Sequence, residues 1–415
     1  MSFTRSLALA FDLGTTTIAA SLVEPSSGKR LAVAAALNPQ RAWGADVLAR
    51  LEAAGDPATL QAMQACLAAA MERMTDELLE KGSATESELA AVALAGNPAM
   101  EHIALGLPVA SLAFPPFRPL FREGKEVTTL ELGWSRKLPA YLLPLPGGFV
   151  GGDLLAFLFG CRDAAKPGTL YLDLGTNAEM ALFDGERFLA TSAAAGPAFE
   201  GGNLRCGMAA LPGAIASVRI EGDRVLLGTI AGAPACGICG SGVLEAVAAL
   251  LESGVIDRTG RLKPAHEIGS NLGNRVQQMN GTPAFVLHRD ARGAVYLDQD
   301  DIRALQLAKG ALRGGMEILL GRAGLSIAEL SGVVLTGSFG AVLSPAVLKN
   351  VGIFSENMVK ISEFIREGAL CGVERLLWEQ DGRARLEGLA RNTKVLPLSG
   401  TPAFEKHFLA NLDFP

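Results

Sequence analysis

Apolar and polar positions follow two rhythms along the chain, one of period two and one of helical period. Residues 7–24 read as a β-hairpin, with an apolar strand at 7–11, a turn over 12–16 and a return strand at 17–23. A further strand near 30–37 extends it. Over 44–82 apolar residues fall at helical spacing, interrupted at Gly55-Asp56-Pro57, which predicts two helices. A buried strand at 90–95 ends on Gly96-Asn97-Pro98. The proline-rich stretch 106–148 reads as irregular structure or a small inserted subdomain.

The pattern then starts again. An apolar strand at 169–172, a turn at 173–177 and a return strand at 178–183 are followed by a third strand at 188–192. Laid together without gaps, Leu-Ala-Phe-Asp12-Leu-Gly14-Thr15-Thr16 falls on Leu-Tyr-Leu-Asp173-Leu-Gly175-Thr176-Asn177. This is an internal repeat at domain scale, and it predicts two similar α/β lobes facing one another across a cleft. Helices are expected at 240–252 and 300–323, and a strand at 332–335 runs into Thr336-Gly337-Ser338-Phe339-Gly340. The last helices fall near 366–380 and 402–410.

Composition narrows the picture. A chain of 415 residues is long enough for two cores, and 49% hydrophobic against 19% charged residues excludes a disordered chain. A net charge of −6 and the lack of any Lys/Arg run argue against nucleic acid as the main partner. No apolar run reaches the length of about 18 residues that a membrane span needs. The N-terminal stretch meets Asp12 before an export segment is complete, and the spacing of the six cysteines suggests no disulfide framework. A reducing, cytoplasmic setting is expected.

The repeated tetrad carries the candidate chemistry. Glycine lets the backbone turn tightly and approach a ligand, and successive turn amides with the Thr hydroxyl form a concave donor site for phosphate oxygens. Gly14, Thr15 and Thr16 in the first copy, and Gly175, Thr176 and Asn177 in the second, are therefore phosphate-binding candidates. Asp12 and Asp173, at the strand ends, are suited to hold Mg²⁺ through its waters. Glu179 is a candidate to position an attacking water, or else a solvated strand residue. Asp153 reads as a helix N-cap, and a carboxylate at this point also resembles the general base of the sugar kinases. Ser241, beside Gly240 at a helix start, either caps that helix or touches nucleotide. Lys309 either faces solvent or, as a resemblance to nucleotide-binding ATPases implies, reaches a ribose.

The duplicated motif resembles the superfamily of actin, the sugar and acetate kinases and the heat-shock chaperones. The resemblance implies two ribonuclease H-like lobes, an actin-like ATPase fold, around a nucleotide cleft. Residues 333–340 resemble its adenosine motif, with Gly337, Ser338, Phe339 and Gly340 against the nucleoside, and 147–159 and 367–377 resemble its two connecting helices. Small residues there (Gly151, Gly152, Gly368, Ala369, Gly372) would let the helices pack closely and act as a hinge. The expected division is 1–160 with the first phosphate loop, 161–362 with the second, and 363–415 returning toward the first lobe.

A narrower resemblance covers nearly the whole chain. Gly96-Asn97-Pro98-Ala99-Met100-Glu101-His102, the segment 194–201 (AAGPAFEG), Gly237-Ile238-Cys239-Gly240-Ser241-Gly242, Asp301-Ile302-Arg303-x-Leu305-Gln306-x-Ala308-Lys309 and Asp173-x-Gly175-Thr176-Asn177-x-Glu179 together resemble the ATPase domain of the reductive activators of corrinoid proteins. That resemblance implies ATP and Mg²⁺ as cofactors, an ATPase of low basal activity stimulated by its partner, and a corrinoid or other redox protein as that partner. ATP bound to both loops would close the lobes. The C-x4-C-x2-C spacing of a plant-type cluster is absent, so no iron–sulfur cluster is expected. Cys236 and Cys239 form a single C-x-x-C, leaving buried or turn cysteines, or four thiolates shared across a homodimer, both open. The alternatives are a small-molecule kinase acting on a sugar, polyol or carboxylate through Asp153, and a nucleotide-dependent binding module without turnover.

Overall fold

The computed structural model describes residues 5–161, 165–337 and 344–415. The chain is mixed α/β and divides into two compact units. The first comprises residues 1–167, 181–191 and 365–396, and the second 168–180, 192–364 and 397–415.

The first unit is built on a six-stranded sheet with Leu7–Leu13 near its middle. Thr17–Glu24 and then Lys29–Leu37 lie antiparallel on one side of that strand. Leu89–Gly96, parallel, then Pro139–Leu142 and Lys125–Thr128 lie on the other. Leu7, Leu9, Phe11 and Leu13 alternate with Ala8 and Ala10, and all are buried, as expected of a strand covered on both faces. The long helix Pro57–Lys81 packs Met63, Leu67, Met71, Met74 and Leu78 against the face that holds Leu9 and Phe11. Asp56 caps it by accepting from the Thr59 N–H, and Pro57 opens it. The expected break at Gly55-Asp56-Pro57 thus separates this helix from Val47–Ala53.

The opposite face, through Ala10, Ala93 and Ala95, packs against the helices Gly152–Gly160 and Gly368–Trp378. These two approach until their backbones nearly touch: a Cβ on Gly372 would lie 1.7 Å from the Ala156 carbonyl oxygen. The Arg375 guanidinium closes the first of them, donating to the carbonyls of Phe159 at 2.9 Å and Cys161 at 3.1 Å. A helix the sequence reading did not predict, Gly382–Arg391, follows and leads into the strand Thr393–Val395.

The second unit holds Ser362–Phe364, Gly332–Gly337 and Thr169–Leu174 side by side, and in the first unit Thr393–Val395 pairs in parallel with residues 188–190. In the second unit Gly332–Gly337 pairs in parallel with Thr169–Leu174, setting Thr336 beside Asp173 and Gly337 beside Leu174. The helices Gly240–Glu252 and Gln299–Ala323 are where the apolar periodicity predicts them. Two three-stranded sheets within 214–298, one around Ala214–Glu221 and one around Thr282–Asp290, have no counterpart in the sequence reading. No helix among the described residues is long and apolar enough to cross a membrane.

Candidate functional site

In the first unit the turn after Leu13 is a short hairpin connection in which Leu13 faces Ile18. A Cβ on Gly14 would fall 2.3 Å from the Thr17 carbonyl oxygen, so this turn needs glycine. Asp12 is half-buried at the strand end and Thr15 is buried. Two asparagines hold the turn from outside it. Buried Asn38 donates its side-chain N–H to the Gly14 carbonyl at 2.9 Å and its backbone N–H to the Thr16 carbonyl at 2.9 Å. Asn97 donates to the Thr15 hydroxyl at 3.0 Å while its Oδ1 accepts from the Met100 N–H, capping the helix Pro98–Ala104. Neither asparagine stood among the candidate site residues. Asn97 carried a signal, as the helix-starting Asn of Gly96-Asn97-Pro98, whereas Asn38 carried none.

The same asparagine turn leads to an acid pair. Glu101 is fully buried; its Oε1 accepts from the Gly96 N–H at 3.1 Å, and its Oε2 is a buried oxygen without a hydrogen-bond partner. Burial, reinforced by the charge of Asp153, raises its carboxyl well above the usual range. Asp153 is half-buried as a residue, but its carboxyl end is enclosed, which raises it to about 6 against the opposing pull of nearby N–H groups. Asp153 is not the helix N-cap that one reading of the sequence gives it. Gly151 holds that position with no side-chain cap, and Asp153 lies in the first turn, accepting from the Leu154 N–H. Close packing explains the glycines: a Cβ on Gly152 would meet Glu101 Oε1 at 2.5 Å, and one on Gly151 the Gly96 carbonyl at 2.3 Å. His102, beside this pair in sequence, is buried between the Pro98 carbonyl at 2.7 Å and the Leu120 N–H at 3.0 Å. Burial lowers it to about 4, so it stays neutral.

The second unit builds its turn from different neighbours. The Gly175 N–H closes the turn on the Asn177 carbonyl at 3.1 Å, with Asp173 half-buried at the strand end. The Thr176 hydroxyl donates to Glu200, a residue the sequence reading quoted within its 194–201 motif without giving it a role. Glu200 in turn lies against the start of the helix Gly240–Glu252. A Cβ on Gly240 would fall 1.7 Å from the Phe199 carbonyl and 3.1 Å from the Glu200 Cα. Three of the sequence motifs therefore converge on this turn. Glu179 is buried and accepts from the Ser192 hydroxyl at 3.1 Å, which overturns the solvated-strand alternative. Ser241 is buried and donates to the Ala216 carbonyl at 3.2 Å; Cys239 is the N-cap and makes no side-chain cap, so of the two readings of Ser241 the capping one is absent. Gly337 has φ 136°, a conformation that favours glycine, at the end of the strand beside Asp173. Ser338, Phe339 and Gly340 lie outside the described residues.

Lys309 is buried rather than solvent-facing. It donates to the Asp413 carbonyl and lies 5.2 Å from the centre of the Phe414 ring, and burial lowers it to about 8. One turn earlier Gln306 donates to the Leu412 carbonyl at 3.2 Å. The Asp301–Lys309 motif thus anchors the C-terminal residues. Cys236 is exposed and Cys239 buried, and their thiols turn to different neighbours, Met208 Sδ and the Ile215 carbonyl. Among the described residues no three His, Cys, Asp or Glu side chains gather as a metal site would need.

A family model described as the C-terminal domain of RACo, the ASKHA domain, matches residues 168–415. A second, the RACo middle region, matches residues 7–162. The chain belongs to the RACo family. The corrinoid activation enzyme RamQ of Eubacterium limosum is 28% identical over 416 residues, covering 98% of this chain and 70% of that one. The [Co(II) methylated amine-specific corrinoid protein] reductase of Methanosarcina barkeri is 29% identical over 238 residues, 52% of this chain and 40% of that one. The solved reductive activator for corrinoid, iron-sulfur protein superposes with a TM-score of 0.90 at 27% identity, over 100% of this chain and 67% of that one. This RACo-family chain therefore spans about two thirds of the length of two of these relatives and less than half of the third. The ASKHA domain agrees with the actin-like fold that the repeated hairpins imply.

Proposed function

We propose that this chain is the ATP-binding and ATP-hydrolysing part of a reductive activator of a corrinoid protein. The observation that carries the reading is the pair of Asp-Leu-Gly-Thr turns, each braced by polar side chains from its own unit, the first by buried Asn38 and Asn97 and the second by half-buried Glu200. The donor sets suit Mg-ATP. Gly14 has no room for a side chain, and each turn follows a half-buried aspartate suited to Mg²⁺ through its waters, while the turn amides would serve as donors to phosphate oxygens. Gly14–Thr16 and Gly175–Asn177 would contact the phosphates, Asp12 and Asp173 the hydrated metal, and Glu179 the attacking water. Gly240 and Gly337 would allow close approach of backbone to the nucleotide. Bound Mg²⁺ would supply charge neutralisation at the phosphates. Ser241 and Lys309 are weaker candidates, because both are engaged with backbone carbonyls.

The names of the relatives support a corrinoid protein as partner. The test is ATP turnover with and without a purified corrinoid protein held as Co(II), with Co(I) followed by its visible spectrum in the presence of a chemical reductant. Turnover stimulated by that partner, together with ATP-dependent Co(I) formation, is the expected result. Absence of both would defeat the reading.

A second reading, a small-molecule kinase, is favoured by one observation: a carboxyl raised to about 6 at Asp153, a value suited to a general base near neutral pH. A phosphorylated sugar, polyol or carboxylate from a substrate panel would establish it.

A further inference from the structure

Acids outnumber bases over the whole chain, 43 to 37, yet one cavity of about 480 Å³ in the first unit is lined by four basic residues and no acid. Its charged groups are Arg122, Arg187, Arg391 and Lys394, with Asn392 and Thr393 between the last two. None of the residues of the two Asp-Leu-Gly-Thr turns lines it.

The fold holds these cations together. Arg391 ends the helix Gly382–Arg391, and Lys394 lies in the strand Thr393–Val395, in register with Leu189. The Asn392 side chain donates to the Glu186 carbonyl at 2.9 Å, and the Phe188 N–H donates to the Asn392 carbonyl at 3.1 Å. These two bonds bring Arg187 beside Arg391 and Lys394. From the other side Arg122 donates to the Pro146 carbonyl at 2.9 Å, and the next residue, Gly147, packs so closely on Val395 that a Cβ there would sit 3.0 Å from its methyl groups. The wall that carries Arg122 is thereby fixed to the strand that carries Lys394.

Charge compensation is nearly absent. Arg187 has one loose pair, with Glu186 at 3.4 Å, and Arg122, Arg391 and Lys394 have no ion-pair partner among the described residues. The cavity is about 10 Å across, about one Debye length at physiological salt, and all four cations are exposed at its rim, so water and salt damp their mutual repulsion without cancelling the local excess of positive charge. An anion is attracted to that excess. Three guanidinium groups favour a ligand whose oxygens accept paired N–H bonds, as phosphate does, and the volume is that of a small-molecule site rather than of a docking face. From this we infer that the cavity binds a small ligand carrying two or more phosphate groups, at a site separate from the two turns. The inference does not rest on the nucleotide reading.

The test is calorimetric titration of sodium tripolyphosphate into the full chain, with saturating Mg-ADP present to occupy any nucleotide site. Wild type is compared with the pair Arg391→Gln/Lys394→Gln and, independently, with Arg187→Gln, each first shown to melt like wild type. One binding event per chain is expected, weakened at least tenfold in the double variant, weakened less in Arg187→Gln, and falling with added salt. Equal binding in the double variant and wild type would overturn the proposal. So would tighter binding of a deca-glutamate peptide than of tripolyphosphate, which would make the cavity an acidic-protein contact. Adenosine tetraphosphate binding no tighter than tripolyphosphate would mark a phosphate-only ligand. Tighter binding would mark a second nucleotide, and both keep the phosphate class.

Discussion

Asn97 donates its side-chain amide to the hydroxyl of Thr15 at 3.0 Å, joining a helix N-cap to a glycine turn 82 residues earlier in the chain. The same side chain accepts from the Met100 N–H, so one residue both starts a helix and orients the hydroxyl proposed to face phosphate.

Asn97→Ala removes both bonds and leaves Thr15 free to rotate. Loss of a cap and of a buried hydrogen bond together is expected to cost about 1–3 kcal/mol of stability. ATP affinity, measured by equilibrium binding below the melting range, is expected to fall severalfold or more. Asn97→Asp keeps the cap but not the donor, so it should recover most of the stability and little of the affinity. Recovery of both would mean that Thr15 does not depend on Asn97.

Asp12→Ala and Asp173→Ala are each expected to abolish ATP hydrolysis while leaving circular dichroism and melting close to wild type. Each is half-buried at the end of a strand that keeps its apolar neighbours. Turnover like that of wild type in either variant would remove that aspartate from the Mg²⁺ assignment.

Asp153→Asn separates the two functional readings. Loss of a general base typically costs about 10²–10⁴-fold in rate. In a partner-directed ATPase the residue occupies the first turn of a packed helix, and basal hydrolysis should fall only a fewfold. The mild outcome is expected. A hundredfold loss, accompanied by phosphorylation of a small compound by the wild type, would favour the kinase.

The buried pair Glu101 and Asp153 gives a pH dependence of definite sign. Both carboxyls are raised in the folded chain, so between the unfolded value near 4 and the folded values the folded state holds more protons. Stability contributed by the pair therefore falls as pH rises from about 4 through 6 and beyond. Glu101→Gln keeps an oxygen for the Gly96 N–H and cannot ionise. Its melting temperature relative to wild type should become more favourable between pH 5 and pH 8. A constant difference across that range would mean that Glu101 does not titrate in it.

Two glycines on neighbouring helices should respond oppositely to alanine. At Gly372 the new methyl would be driven into the Ala156 carbonyl, and overpacking of that kind is expected to cost about 1–3 kcal/mol or more. At Gly388, in the helix Gly382–Arg391, nothing lies within 4 Å of the added Cβ, and alanine should stabilise by about 0.5–1 kcal/mol. Thermal melts of the two variants check both. A tolerated Gly372→Ala would show that the two helices separate easily.

Much of the frame was legible in the residues themselves. The paired hairpins, the break at Gly55-Asp56-Pro57 and the helices beginning near Gly240 and Pro402 follow from short-range rules. Alternation, helical spacing and turn chemistry act between residues a few positions apart, and the sequence displays them directly. The repeat of Asp12–Thr16 at Asp173–Asn177 was equally visible, and with it the kind of ligand a pair of glycine turns would take. Tertiary structure alone decided who supports those turns. Asn38 and Asn97 brace one, while Glu200 and the glycine-led helix at Gly240 enclose the other, through contacts with no periodic trace in the chain. It also decided that Glu101 is buried beside Asp153, that Glu179 is buried, and that Gln306 and Lys309 hold the C-terminal residues. The small sheets within 214–298 leave little trace in the sequence because strands such as Arg224–Thr229 and Val276–Met279 are half-exposed along most of their length. Burial of a polar group depends on every element packed around it, and that sum exists only once the chain has folded.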